Sequence, residues 1–163
     1  MEHPYLFFVK FFELIGLAEY SLAGYEADDV LATLAEKYKS KYDIIIVTGD
    51  KDCAQLIEDR VILYDPFKEK VTKTKDVLEK YGLEPSQFID YLALCGDSAD
   101  NIPGVAGIGP KGASKLLKEY KTLDGIYANI DNIESKSVQN KLMESRENAY
   151  LSQKLAKIVL DVP

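Results

Sequence analysis

The spacing of apolar residues changes along the chain, and each change marks an element. Near the front, Tyr5, Leu6, Phe7, Phe8, Val9, Phe11, Phe12, Leu14 and Ile15 form a dense apolar run broken only by Lys10 and Glu13. The run is too short and too interrupted to span a bilayer, and no small-residue cleavage site follows it, so it predicts a largely buried helix. Over residues 27–41, Val30, Leu31, Leu34, Ala35 and Tyr38 recur at helical spacing and predict an amphipathic helix with that face inward. Residues 43–47 then read Asp-Ile-Ile-Ile-Val. A short β-branched run without polar alternation predicts a strand buried on both faces, as in a parallel sheet. A second strand is expected at 61–64, with a short local pairing at 70–73.

Helices are expected beyond this point. One over 75–81 ends at Gly82, and Pro85 opens another that runs to Leu94 and stops at Gly96. Further helices are predicted at 113–120, 123–128, 135–144 and 147–155. The change near Gly96 from mixed strands and helices to helices alone predicts two units: an α/β core over 1–96 and an all-helical subdomain over 97–163. At 163 residues the chain is long enough to bury a sizeable core.

Acidic residues fall into three short clusters: Glu26, Asp28 and Asp29; Asp50 and Asp52; Asp97 and Asp100. Each stands where an apolar element begins or ends. Each alone has an ordinary explanation, as a helix N-terminal cap, a turn former or an Asx-type cap. Together they read better as one site, because clustered carboxylates repel one another and a divalent cation relieves that repulsion. Ligands that are all hard oxygens point to Mg2+ or Mn2+ rather than zinc. Asp50 and Asp52 follow the apolar strand directly, and ligands of open α/β sheets bind at the carboxyl ends of strands.

The net charge of −7 argues against a simple basic nucleic-acid coat. Its distribution matters more: over residues 104–121 the sign reverses, with Lys111, Lys115, Lys118 and Lys121 facing only Glu119. In that stretch Gly104, Gly107 and Gly109 precede a predicted helix, which places backbone N–H groups at a helix N-terminus suited to phosphate. With no buried strand before it and no GK[ST] after it, the segment is neither a dinucleotide fingerprint nor a P-loop. A helix–hairpin–helix gripping a DNA backbone fits the glycines and the lysines. Cys53 and Cys95 lack metal-type spacing and indicate neither a zinc site nor a disulfide framework, in keeping with a reducing cytoplasmic setting.

The segments GYEADDVLATLA, VTGDKDCAQL, FIDYLALCGDSADNIPGVAGIGPKGASKLL and NAYLSQKLAKI closely resemble the 5′ nuclease domains of bacterial DNA polymerase I, within the flap-endonuclease (PIN-like) superfamily. The resemblance implies a metal-dependent 5′-3′ exonuclease or flap endonuclease that hydrolyses DNA with 5′ ends or flaps by a two-metal mechanism, in replication and repair. It implies that Glu26, Asp28, Asp29, Asp50, Asp52, Asp97 and Asp100 hold Mg2+ or Mn2+, with Asp28, Asp29, Asp50 and Asp52 at the catalytic centre. It implies further that Gly104, Gly107, Gly109, Lys111 and Lys115 hold duplex phosphates, with K+ at the hairpin.

Members of that superfamily begin with a strand ending in a metal-binding Asp, followed by a basic helical arch, and this sequence shows no counterpart of either. The expectation is therefore a truncated PIN-like sheet. A homo-oligomer, or a second polypeptide supplying a strand, would then cover the apolar front, which light scattering tests. A catalytically weak or inactive DNA-structure-binding module is the alternative to an active nuclease, and a membrane partner is not expected.

Overall fold

A computed structural model describes residues 4–163, with side chains from Phe8 onward. Helix α1 (Pro4–Leu14) leads through an irregular stretch to α2 (Ala27–Tyr38), then strand β1 (Ile44–Val47), β2 (Val61–Asp65) and β3 (Lys70–Thr72). Helices α3 (Thr74–Tyr81), α4 (Phe88–Cys95), α5 (Pro110–Tyr120), α6 (Leu123–Ala128), α7 (Lys136–Glu144) and α8 (Arg146–Ala156) follow. The strands form a sheet of order β1-β2-β3. β1 and β2 run parallel, as expected from the β-branched run, and β3 pairs antiparallel with β2, so the sheet is mixed. The class is α/β followed by an all-helical region.

The hub of the helical region is α4. Phe88, Tyr91, Leu92, Ala93 and Leu94 are all buried, the pattern of a helix covered on every side. It packs against α8 and α5, and Leu117, Leu123, Ile126 and Leu142 complete the same core. Tyr81 and Tyr91 pack edge to face with 5.3 Å between ring centroids, joining α3 to α4. Helix boundaries follow local chemistry: Gly82 ends α3 at a φ of 68°, and Pro110 opens α5. A tight 3-10 turn at Pro85–Gln87 precedes α4 within what the sequence predicts as one helix, and a second at Asp52–Leu56 was not expected from the apolar pattern.

Three expectations are corrected. Among the described side chains, α1 is not buried: Phe8 is 54% exposed, Phe11 45% and Leu14 85%. Its described apolar residues lie all round the helix, and most of them are exposed. Tyr5, Leu6 and Phe7 lie outside the described side chains. In β1, Ile46 is buried but Ile45 and Val47 are largely exposed, because only one face of this strand meets the core. In α2 it is Ala32 and Ala35 that are buried, while Leu31 and Tyr38 face outward. The small side chains let this helix lie close to its neighbours, which apolar bulk alone does not reveal.

Two glycines bring the end of α4 and the start of the glycine hairpin into backbone contact. Gly96, at a φ of 70°, ends α4, and Gly104, at a φ of 65°, begins the glycine hairpin. A Cβ at Gly104 would lie 2.4 Å from the Gly96 nitrogen, and one at Gly96 would lie 2.7 Å from the Ile102 carbonyl oxygen. Only glycine satisfies both the left-handed backbone and the close approach. Gly104→Ala should destabilise the chain by about 2–4 kcal/mol, measured by urea unfolding, through overpacking and backbone strain. At Gly109, where φ is −93° and a Cβ would meet nothing within 4 Å, alanine should change stability by under about 0.5 kcal/mol. Equal effects at the two positions would show that the close approach does not constrain the fold.

Candidate metal centre

The acidic clusters meet at one cleft because three separate element ends converge there. Glu26 is the N-cap of α2, and Asp28 and Asp29 lie in its first turn, where the helix dipole favours negative charge. Asp50 and Asp52 leave the carboxyl end of β1, which aims them at the same point. Asp97 and Asp100 come from a closed loop: Asp97 and Ile102 exchange backbone hydrogen bonds of 2.9 and 2.8 Å, with Asn101 at a φ of 57° between them. Glu26, Asp28, Asp29, Asp50, Asp52 and Asp100 all line a cleft of about 460 Å³. Carboxylate oxygens of Asp52, Asp97 and Asp100 lie within 4.8 Å of one another. Asp50 lines the cleft but stands outside that tightest group.

Several of these carboxylates also shape the backbone. Asp29 accepts from the Glu26 N–H at 3.1 Å with one oxygen and from the Val159 N–H at 2.8 Å with the other. Asp50 accepts from the Asp52 N–H at 2.8 Å, and Asp97 from the Ala99 N–H at 2.9 Å. Capping and ligand geometry are therefore compatible, since each carboxylate oxygen has more than one lone pair. Asp52 differs: its Oδ1 is buried and has no hydrogen-bond partner. A buried carboxylate oxygen left unpaired is costly, and a cation satisfies it.

The electrostatics point the same way. Burial and the charge of Asp50 push Asp52 up to about 6, and burial followed by Asp50, Glu26 and Asp29 raises Asp28. Asp97 is held below the usual carboxylate range by the ammonium of Lys51, which sits directly against its Oδ2. The oxygen-only donor set, the mutual repulsion and the unpaired Asp52 oxygen fit a hard divalent cation.

Sequence reading overlooked two contributors. Lys51 stands between Asp50 and Asp52 and pairs with Asp97, while about half of its side chain stays in solvent. Residues 155–159, including Lys157, form one wall. Gln55 ties that wall in place by donating to the Ala156 carbonyl at 2.9 Å and accepting from the Ile158 N–H at 3.1 Å. No local pattern links Gln55 to residues so distant in the chain.

The glycine hairpin sits beside this cleft. Ser152, fully buried, accepts from the Gly104 N–H at 2.8 Å, and Lys141 donates to the Gly107 carbonyl at 3.1 Å. Gly109 and Pro110 then open α5, whose first turn leaves the N–H groups of Lys111 and Gly112 without partners inside the helix. Lys111 and Lys115 lie on its first two turns.

Because the folded-state carboxyl of Asp52 is raised, its charge opposes folding in the metal-free chain. The penalty begins as pH rises above about 4 and is fully present above about 6. Asp52→Asn should therefore stabilise the EDTA-treated chain by about 1–2 kcal/mol at pH 7.5, after allowance for partial solvent screening, with no gain near pH 3.5. It should also blunt the rise in Tm caused by Mn2+. A loss of metal-free stability at pH 7.5 would contradict the repulsion described above.

Residues 5–82 match the family model of the 5′-3′ exonuclease N-terminal resolvase-like domain, and residues 83–163 match that of the 5′-3′ exonuclease C-terminal SAM fold. A 5′-3′ exonuclease of Buchnera aphidicola is 44% identical over 161 residues, covering 94% of this chain and 56% of that protein. DNA polymerase I of Caldicellulosiruptor bescii is 46% identical over 147 residues, covering 86% of this chain and 17% of the polymerase. The chain thus spans only part of the curated relatives it matches. Among solved structures, a mutant of the T5 5′-exonuclease superposes with a TM-score of 0.82 at 25% identity, covering 94% of this chain and 64% of that one. The T5 flap endonuclease in a pseudo-enzyme-product complex with DNA and metal ions superposes with a TM-score of 0.80 at 25% identity, covering 94% of this chain and 58% of that one. This chain, with its small mixed sheet, helical C-terminal part and acidic cleft, belongs to the 5′-3′ exonuclease family.

Proposed function

We propose that the chain is the core of a divalent-metal-dependent 5′ nuclease that cleaves phosphodiester bonds in DNA bearing 5′ ends or flaps. The observation that carries this reading is the gathering of carboxylates from three chain segments around the unpaired Asp52 oxygen, beside a hairpin suited to phosphate. Asp52, Asp97 and Asp100 would hold one Mg2+ or Mn2+, and Glu26, Asp28 and Asp50 line the cleft where a second would lie. Bound there, such ions supply a nucleophilic hydroxide and neutralise charge on the leaving oxygen. The protein's own part is to position these oxygens rigidly, through the α2 N-terminus, the β1 end and the closed 97–102 loop. Asp29 holds the wall at Val159, and Lys51 keeps Asp97 ionised.

The helical part grips DNA through phosphates alone. Gly104, Gly107 and Gly109 shape the hairpin, and Lys111 and Lys115 add charge. None of these groups is arranged to read bases, so little sequence preference is expected. Among the described residues no helix is long and apolar enough to cross a membrane. The exposed Phe8, Phe11, Ile45 and Val47 favour self-association or a protein partner over a lone monomer.

A second reading, a DNA-structure-binding module with weak or no cleavage, draws on one observation: the Lys51 ammonium already compensates Asp97, a would-be ligand. A 5′-labelled flap substrate separates the two. Cleavage that requires Mg2+ or Mn2+, stops with EDTA and falls at least about 100-fold in the Asp50→Asn, Asp52→Asn double variant supports the nuclease. Binding without cleavage selects the module. Calorimetry should show weaker Mn2+ binding by the double variant, and unchanged affinity would remove the shared site.

A further inference from the structure

Three clefts on this molecule are contiguous, and together they lead from the hairpin helix to the carboxylates. The first, about 450 Å³, lies between α3 and α5, with Lys111, Lys115 and Lys118 on one side and Lys80 on the other, over a floor that includes Tyr81 and Tyr91. The second, about 170 Å³, runs from Lys80 and Tyr81 to Thr48, Asp50 and Lys51. The two share Lys80 and Tyr81, and the second shares Asp50 with the carboxylate cleft. Lys80 therefore stands midway along a continuous trough.

The trough has defined walls. A Cβ at Gly82 would lie 2.3 Å from the Lys118 ammonium. The α5 side chain thus rests on the end of α3, where the helix carbonyls favour a cation. Lys80 lies 4.7 Å from the Tyr81 ring centroid. Among the described residues, neither Lys80, Lys111, Lys115 nor Lys118 has a carboxylate within ion-pair distance. The middle cleft also carries Asp65, paired with Lys68, and Asp76, together with Lys51 and Lys70. In a chain of net charge −7, the unpaired lysines of α3 and α5 beside an aromatic floor are still a place for an external anion. The clefts follow one another through shared lining residues and end at carboxylates suited to phosphodiester chemistry, so an extended polyanion fits them better than a small anion. A charged groove over aromatic rings is the general form of a site that tracks a single nucleic-acid strand.

Building on the nuclease reading above, we propose that this trough carries the phosphate backbone of one DNA strand from the α5 hairpin to the carboxylate cleft. Lys80 of α3 is its midpoint phosphate contact. The hairpin holds the duplex, and Lys80 sets the line along which one of its strands approaches Asp50.

The test is anisotropy titration of a labelled 5′-flapped duplex with the full chain in EDTA, at several salt concentrations. Lys80→Ala should weaken binding on the order of five-fold at 0.1 M salt and lower the salt slope by about 0.7–0.9, the loss of one phosphate contact. Lys80→Arg should restore both. Lys75→Ala, on the same helix but outside the three clefts, should change neither. Lys111→Ala is run in parallel. If it weakens binding while Lys80→Ala behaves like Lys75→Ala, the trough is overturned and the hairpin stands. If neither variant affects binding, the nucleic-acid reading itself fails. A Lys80→Ala loss that depends on base sequence would also overturn the phosphate role.

Discussion

The meeting of two backbones at Gly96 and Gly104 is the constraint on which the site depends. Because neither residue has a side chain, the end of α4 and the start of the hairpin touch directly, and the 97–102 loop between them is forced into a closed turn. That turn sets Asp97 and Asp100. The same hairpin presents α5, so the part suited to phosphate and two of the cleft's carboxylates are held by one contact. Buried Ser152 fixes the hairpin from α8, which packs on α4. A displacement at either glycine would move both functions together.

Electrostatics work against this arrangement in the metal-free chain. Six carboxylates line one cleft, and the protein offsets them only in part, with backbone N–H donors, Lys51 and the α2 N-terminus. The raised carboxyls of Asp28 and Asp52 are the residue of that imbalance. Packing elsewhere in the molecule must tolerate the unrelieved repulsion. The buried helical core around α4 is the natural source of that tolerance, since it is continuous and largely free of polar atoms.

Much of the fold was legible in the sequence because it rests on local chemistry. Gly82 after α3, Pro110 before α5 and the β-branched run at β1 each act within a few residues. The site was legible for a related reason: carboxylates at element ends converge whenever the ends do. What was not legible depends on tertiary neighbours. The exposure of Ile45 and Val47 follows from which face of the sheet is covered, and in α2 the inward turn of Ala32 in place of Leu31 and Tyr38 follows from its neighbours, while Ala35 is buried as expected. Lys51 reads as a solvated lysine until the loop carrying Asp97 is brought against it.

The wall formed by residues 155–159 has a consequence for the order in which the molecule assembles. Its ties join Gln55 to Ala156 and Ile158 and Asp29 to Val159, and just beyond it Val162 donates to Thr33, each across more than 100 residues of chain. Contacts so distant in sequence form only after the intervening helices have collapsed, because closing so long a loop is entropically unfavourable until other contacts have shortened it. The cleft therefore depends on contacts that the chain gains only once its core is in place. A ligand that needs all of its walls binds only fully folded chains and, by mass action, deepens the native state.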